Sequence, residues 1–173
     1  MSINNIILSF PEYAKDIKLN YSKIINENIL EEKQLFSIIL IASMATRSEK
    51  LLQEALNESK VILSKDIIQD VYGAYSIMSM NSIYYRFTHL ASEKDYSTMP
   101  ANLRMQYLTK YKVNKPDFEM LCLAVATIIG CGKCINAHEV ALRENNISKL
   151  SIQTVARIAS IINAIANTLR VMK

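Results

Sequence analysis

The chain has no tryptophan, three glycines, three prolines, three cysteines and two histidines among its 173 residues. So little glycine and proline leaves few sites for sharp turns. Almost no segment alternates apolar and polar residues as a half-buried strand does. Charge of one sign is never concentrated: the net charge is +4, and Lys and Arg are interspersed with carboxylates. Without a basic block or an aromatic-interleaved basic patch, nucleic acid is not an expected partner and the charge reads as a solvated surface. The N-terminus lacks a charged region followed by an apolar core and a small-residue cleavage site, so no export signal is expected. The longest apolar run, near Phe36–Ala45, falls short of the roughly 20 residues a membrane helix needs. These absences point to a cytoplasmic location away from membranes, where thiols stay reduced. A close cysteine pair there is more often catalytic than a structural staple.

Half of the residues are hydrophobic, and nearly every segment repeats them at a helical period, which predicts an all-α fold. A first helix is expected from Pro11 to about Glu27, then Glu31–Ala45, Glu49–Ser59, and Lys65–Leu90 as one long helix or a broken pair. Ala91–Pro100 is polar and reads as a loop. Helices are expected over Asn102–Tyr111, over Phe118–Ile129 with Asp117 as N-cap, from just after Gly130 to about Asn145, and over Ser151–Met172. The expected organisation is a single domain over 1–173 made of two packed helical halves, residues 1–90 structural and 100–173 carrying the site. A faint repeat pairs Leu35–Glu58 with Leu121–Glu144, setting Ala45 and Ser48 opposite two cysteines of the second half.

Those cysteines, in Cys131-Gly132-Lys133-Cys134, with His138 four residues on, are the densest chemistry in the chain. Gly130 ends one helix and places Cys131 at the start of the next, where first-turn N–H groups and the helix dipole favour a thiolate. Lys133 adds a cation between the sulfurs. His138 lies one turn beyond Cys134 on the same face, able to exchange a proton with it. Glu119 lies near the start of the preceding helix and is too far along that helix to reach the thiols. It meets His138 only if the next helix folds back across it. Cys122, between Leu121 and Leu123, reads as a small buried hydrophobe. A metal knuckle of Cys131, Cys134, His138 and Glu119 is the alternative use of these residues, against which no second ligand pair is present elsewhere.

Glu119 followed by Cys131-x-x-Cys134 and His138 resembles the active-site signature of the alkyl hydroperoxidase D (AhpD) family, within the carboxymuconolactone decarboxylase-like superfamily. Met80-Asn81-Ser82-Ile83-Tyr84-Tyr85-Arg86, Pro100-Ala101-Asn102-Leu103-Arg104-Met105 and Asp117-Phe118-Glu119 resemble further segments of that family. The resemblance implies an all-helical subunit, a homotrimer, and a thiol peroxidase reducing organic hydroperoxides. It also implies regeneration of an AhpC-type peroxiredoxin, with electrons from a lipoyl-bearing acyltransferase and its dihydrolipoamide dehydrogenase. No cofactor would be bound; the partner's lipoyl group would be the reductant. By position, Cys134 would be the peroxide-attacking thiolate that becomes a sulfenic acid. Cys131 would be the resolving thiol and proton donor, and Glu119 and His138 the proton relay. Some members carry His where this chain has Lys133, which can favour a thiolate but cannot shuttle protons near neutral pH. The competing readings are a disulfide reductase or adaptor with little peroxidase activity, a non-catalytic metal-binding or redox-sensing module, and a lactone decarboxylase, which needs no paired thiols.

Overall fold

The computed structural model describes residues 2–172, which form eight α-helices and, among the described residues, no strand. They are α1 (Ile3–Leu8), α2 (Lys15–Ile25), α3 (Glu32–Ala45), α4 (Glu49–Ile62), α5 (Lys65–Leu90), α6 (Lys115–Ile129), α7 (Gly132–Glu144) and α8 (Lys149–Val171). Among the described residues no helix is long and apolar enough to cross a membrane.

Two helices are apolar almost all round, and these form the centre. In α3 every residue from Ser37 to Met44 is buried, and in α6 so are Phe118 and Met120 through Ala126. A helix without a polar face must be covered on all sides. Cover comes from α4, α5, α7 and α8, which pack on this pair. The amphipathic α8 does so with Ile152, Val155, Ile158, Ala159, Ile162 and Ile165 on its inner side. Gln34 ties the starts of the central pair together, its Nε2 donating to Asp117 Oδ1 at 2.7 Å.

Local capping sets several helix starts. Ser64 Oγ accepts the Ile67 N–H, Asn114 Oδ1 the Asp117 N–H, and Ser148 Oγ the Ser151 N–H. The N-cap of α6 is therefore Asn114 rather than Asp117. Asp117 sits one turn in, where its Oδ2 accepts Asn114 Nδ2 at 2.9 Å. The segment expected to run as one helix from Pro11 is a short 3-10 turn, Glu12–Ala14, followed by α2. The preceding α1 lacks a helical period long enough to notice; it buries Ile3, Ile6 and Ile7. Lys65–Leu90 is one unbroken helix.

The clearest departure is Asn102–Tyr111, which is not an α-helix. Asn102 is left-handed at φ 51°, and only Gln106–Thr109 makes a 3-10 turn. Tertiary partners replace the helical bonds. The buried carboxylate of Asp70 in α5 accepts Tyr107 Oη at 3.0 Å and the N–H groups of Lys112 and Val113 at 2.7 and 2.8 Å. Tyr107 lies flat against Gly73, where any Cβ would overlap its ring, so this glycine in mid-helix is the seat of the loop.

Candidate active site

Chain reversal between α6 and α7 takes a single residue outside the helices besides the N-cap. Gly130 closes α6 at φ 75°, the left-handed conformation that glycine adopts without a Cβ penalty. From α5, Arg86 reaches across and donates to the Ile129 carbonyl at 2.6 Å, satisfying one of the orphan acceptors at the end of α6. Cys131 is then the N-cap of α7, and its Sγ accepts the Cys134 N–H at 3.2 Å. A sulfur in this position faces the positive end of a helix, the setting that favours a thiolate.

Cys131 and Cys134 form a disulfide, their Cα atoms 5.3 Å apart. The two sulfurs differ in surroundings. Cys131 is fully buried at 0 % exposure, while Cys134 at 6 % lines a cavity of about 250 Å³. Apolar walls come from Met78 and Tyr85 of α5 and from Met105 and Leu108 of the loop held by Asp70. Lys133, Ala137 and His138 of α7 complete the rim, with Asn81 of α5. Lys133 Nζ lies 5.4 Å from the centroid of the Tyr85 ring, a cation–π distance, and Tyr85 Oη approaches the Met105 sulfur at 3.9 Å.

Antiparallel return of α7 across α6 brings Glu119 to His138. Glu119 Oε2 lies 2.6 Å from His138 Nδ1, with both side chains less than a fifth exposed. An ionised Glu119 accepts a hydrogen bond from a proton-bearing Nδ1, which leaves Nε2 as the ring's proton-accepting nitrogen. Tyr111 stacks on Phe118 with ring centroids 3.9 Å apart, and burial, reinforced by the charge of Glu119, pushes its phenol up from the usual value. It therefore stays neutral beside the Glu119–His138 pair.

Cys122 is buried and unpaired, as expected of a small hydrophobe. Burial first, and then the Glu119 carboxylate, push its thiol well up, so it stays protonated and unreactive. Among the described residues no three His, Cys, Asp or Glu side chains cluster so as to hold a metal ion.

The five residues picked out in the sequence thus fall in one neighbourhood, Cys131, Cys134, Lys133 and His138 on α7 and Glu119 on α6. Other contributors were not identified as site residues there. Arg86 fixes the turn, Asp70 holds the loop, and Asn81 lines the cavity. A carboxylate at the helical register of Ile67, Val71 and Ala74 was the available sign for Asp70, which is 1 % exposed.

The Carboxymuconolactone decarboxylase family is matched over residues 95–173. Proteins named alkyl hydroperoxide reductase AhpD are similar along nearly the whole chain. The protein of Brucella anthropi is 42% identical over 166 residues, covering 96% of this chain and 95% of its own. That of Azorhizobium caulinodans is 43% identical, covering 96% and 92%. That of Acidobacterium capsulatum is 41% identical over 170 residues, covering 98% and 93%.

Proposed function

The chain belongs to the AhpD family of alkyl hydroperoxide reductases, and from that premise we propose that it reduces organic hydroperoxides through a Cys131/Cys134 dithiol–disulfide cycle. The observation that carries the reading is the junction of three features at one point. Of the two sulfurs, Cys134 lines the apolar cavity, and His138, held by Glu119, stands on the same cavity wall.

In the oxidative half, His138 Nε2 takes the proton of the Cys134 thiol, and the resulting thiolate attacks the terminal oxygen of ROOH. An S–O bond forms, the O–O bond breaks, and the departing alkoxide takes a proton from the Glu119–His138 relay to leave as ROH. Cys131 then attacks the Cys134 sulfenic acid, the S–S bond forms and water leaves. In the reductive half, a thiolate of a dihydrolipoyl group attacks the sulfur of Cys134 that faces the cavity. Cys131 departs as a thiolate, received by the Cys134 N–H and the start of α7. The second lipoyl thiol then displaces Cys134. Lys133 adds positive charge beside the cavity and favours the thiolate form of Cys134 without moving protons. An AhpC-type peroxiredoxin would be regenerated by the same thiols, with a lipoyl-bearing acyltransferase and dihydrolipoamide dehydrogenase supplying electrons in the cytoplasm. A homotrimer fits the apolar stripe of Ile83, Phe87 and Leu90 on α5, all about half exposed or more.

Turnover of cumene hydroperoxide with dihydrolipoamide tests this. Cys134→Ser is expected to lose activity by about a thousandfold or more, and Cys131→Ser to stop at a trappable sulfenic acid. Undiminished turnover by Cys134→Ser would refute the assignment. Comparing rates on hydroperoxide and on oxidised peroxiredoxin separates a peroxidase from an adaptor.

A further inference from the structure

Asn81 is 5 % exposed and lines the Cys134 cavity, and its Oδ1 has no hydrogen-bond partner among the described residues. Buried amide oxygens are nearly always paired, because an unpaired one has given up its water for nothing. Asn81 is also an unfavourable residue for the middle of a helix, since its side chain competes for backbone bonds. Its Oδ1 caps no helix and ties down no loop among the described residues, in contrast to the side chains of Asp70 and Arg86 on the same helix. Its neighbours in register, Met78 and Tyr85, are three residues before and four after, and line the same cavity with apolar surface. A buried amide oxygen with an open valence, on a residue in the wall of an apolar cavity beside a nucleophile, is suited to orienting a small ligand's polar head.

We propose that the Asn81 amide is a substrate-binding group that seats the hydroperoxide head against Cys134, an inference that rests on the peroxidase reading above. Asn81 Oδ1 accepts a hydrogen bond from the O–H of ROOH, and the alkyl body lies on Met78, Tyr85 and Leu108. This holds the terminal oxygen toward Cys134 Sγ. When the thiolate attacks, the S–O bond forms and the O–O bond breaks. The electron pair of that bond leaves on the alkyl oxygen, which takes the proton that His138 Nε2 had accepted from the Cys134 thiol. The hydrogen that Asn81 held stays on the transferred oxygen, so the same amide then holds the Cys134 sulfenic acid until Cys131 displaces water. Sulfur is oxidised by two electrons and the peroxide is reduced by two.

The test uses full-length protein, reduced beforehand, with Asn81→Leu as the near-isosteric variant and Asn81→Ala as a second that any helix accommodates. Loss of free thiols on mixing with cumene hydroperoxide, and separately with hydrogen peroxide, reports the oxidative half. Reduction of the disulfide by dihydrolipoamide reports the other half. Both variants are expected to slow oxidation by about tenfold or more with either peroxide, because the O–O–H head is common to both. Disulfide reduction is expected within about twofold of the parent protein, and the melting temperature unchanged or higher, since an unpaired buried amide has been removed. Oxidation rates within about twofold of the parent in both variants would overturn the Asn81 assignment alone. Equal slowing of both halves with a lowered melting temperature would overturn it too, as the mark of a structural residue. A parent protein that is reduced normally by dihydrolipoamide but is not oxidised by either peroxide would overturn the peroxidase reading itself, and the assignment with it.

Discussion

The hairpin of α3 and α4 and the hairpin of α6 and α7 have the same construction and opposite contents. Each has a buried apolar helix, a left-handed residue at the turn, and a second helix returning alongside. Arg47 at φ 59° takes the left-handed place in the first turn and Gly130 at φ 75° in the second. Ser48 and Cys131 are the N-caps that follow, which shifts the repeat by three residues from the register read in the sequence and sets Ser48 opposite Cys131. Relative to those caps, Leu51 and Ala55 stand where Cys134 and His138 stand, and both are fully buried. Counting back from the helix ends, Leu35 stands where Glu119 does. Apolar packing therefore fills the first hairpin where the candidate site residues stand in the second. A larger cavity, about 610 Å³, does lie at the first turn, but Arg47, Ser48, Lys50 and Arg170 line it and no thiol does. The lesson is that this backbone needs only an apolar filling at these positions, and a reactive one is an added demand.

Substitutions at matched positions should separate the two demands. Leu51→Ala, in the packing hairpin, is expected to cost about 2–5 kcal/mol of stability while the folded fraction keeps its thiol chemistry. Denaturant melts and a hydroperoxide assay on the same preparation measure both, and a loss of activity per folded molecule would break the distinction. Glu119→Gln in the chemical hairpin should behave the other way. It preserves shape and a hydrogen bond to His138 but removes the charge that orients the ring, so the oxidative half is expected to slow by about a hundredfold with little change in melting.

Exchanging the turn residues gives a smaller effect. Gly130→Ala meets nothing within 4 Å, so its cost is the left-handed backbone alone, about 1 kcal/mol, or roughly 2–4 °C of melting temperature. Arg47→Gly already has that conformation at a residue with a Cβ, and should stay within about 2 °C of the parent, because relief of strain is offset by the entropy of the unfolded glycine. Equal losses at both turns would show that the cap sequence, not the dihedral, sets the difference.

Another small effect lies on the outer helix of the first hairpin. Glu58 Oε1 accepts the Ile3 N–H at 2.9 Å, but burial, the largest influence, raises the carboxyl above its usual value. A raised folded value means the native state holds that proton more tightly than the unfolded chain. Stability is therefore lost as pH climbs through the folded value. Glu58→Gln keeps an acceptor for Ile3 and should raise the neutral-pH melting temperature by about 1–3 °C. The gain should shrink to nothing well below the unfolded glutamate value of about 4.3, where both states are protonated. Thermal melts from pH 3 to 8 check the sign.

Legibility in the sequence followed the range of the interaction. Helices α3, α4, α5, α7 and α8 were readable to within a few residues because periodicity and capping act over three or four positions. Asn102–Tyr111 has the same local character and failed, since Asp70, some 40 residues earlier, captures its Tyr107 hydroxyl and the N–H groups of Lys112 and Val113 just beyond it. Among the site residues, the Cys131–Cys134 pair and His138 were legible as a unit because one helix start carries all three. The Glu119–His138 bond spans 19 residues and two helices, and spacing along the chain could only permit it.

By itself, then, the sequence determined an all-helical chain, the two-residue spacing of a cysteine pair just after Gly130, and a small hydrophobe at Cys122 between two leucines. Those depend on composition and on neighbours within a turn or two. Tertiary structure alone decided which sulfur lines the cavity, that Glu119 reaches His138, and that Asn81 from α5 lines the same space as Cys134. Each of these is a convergence of side chains from helices far apart in the chain, and only the packing of α5, α6 and α7 on one another brings them together.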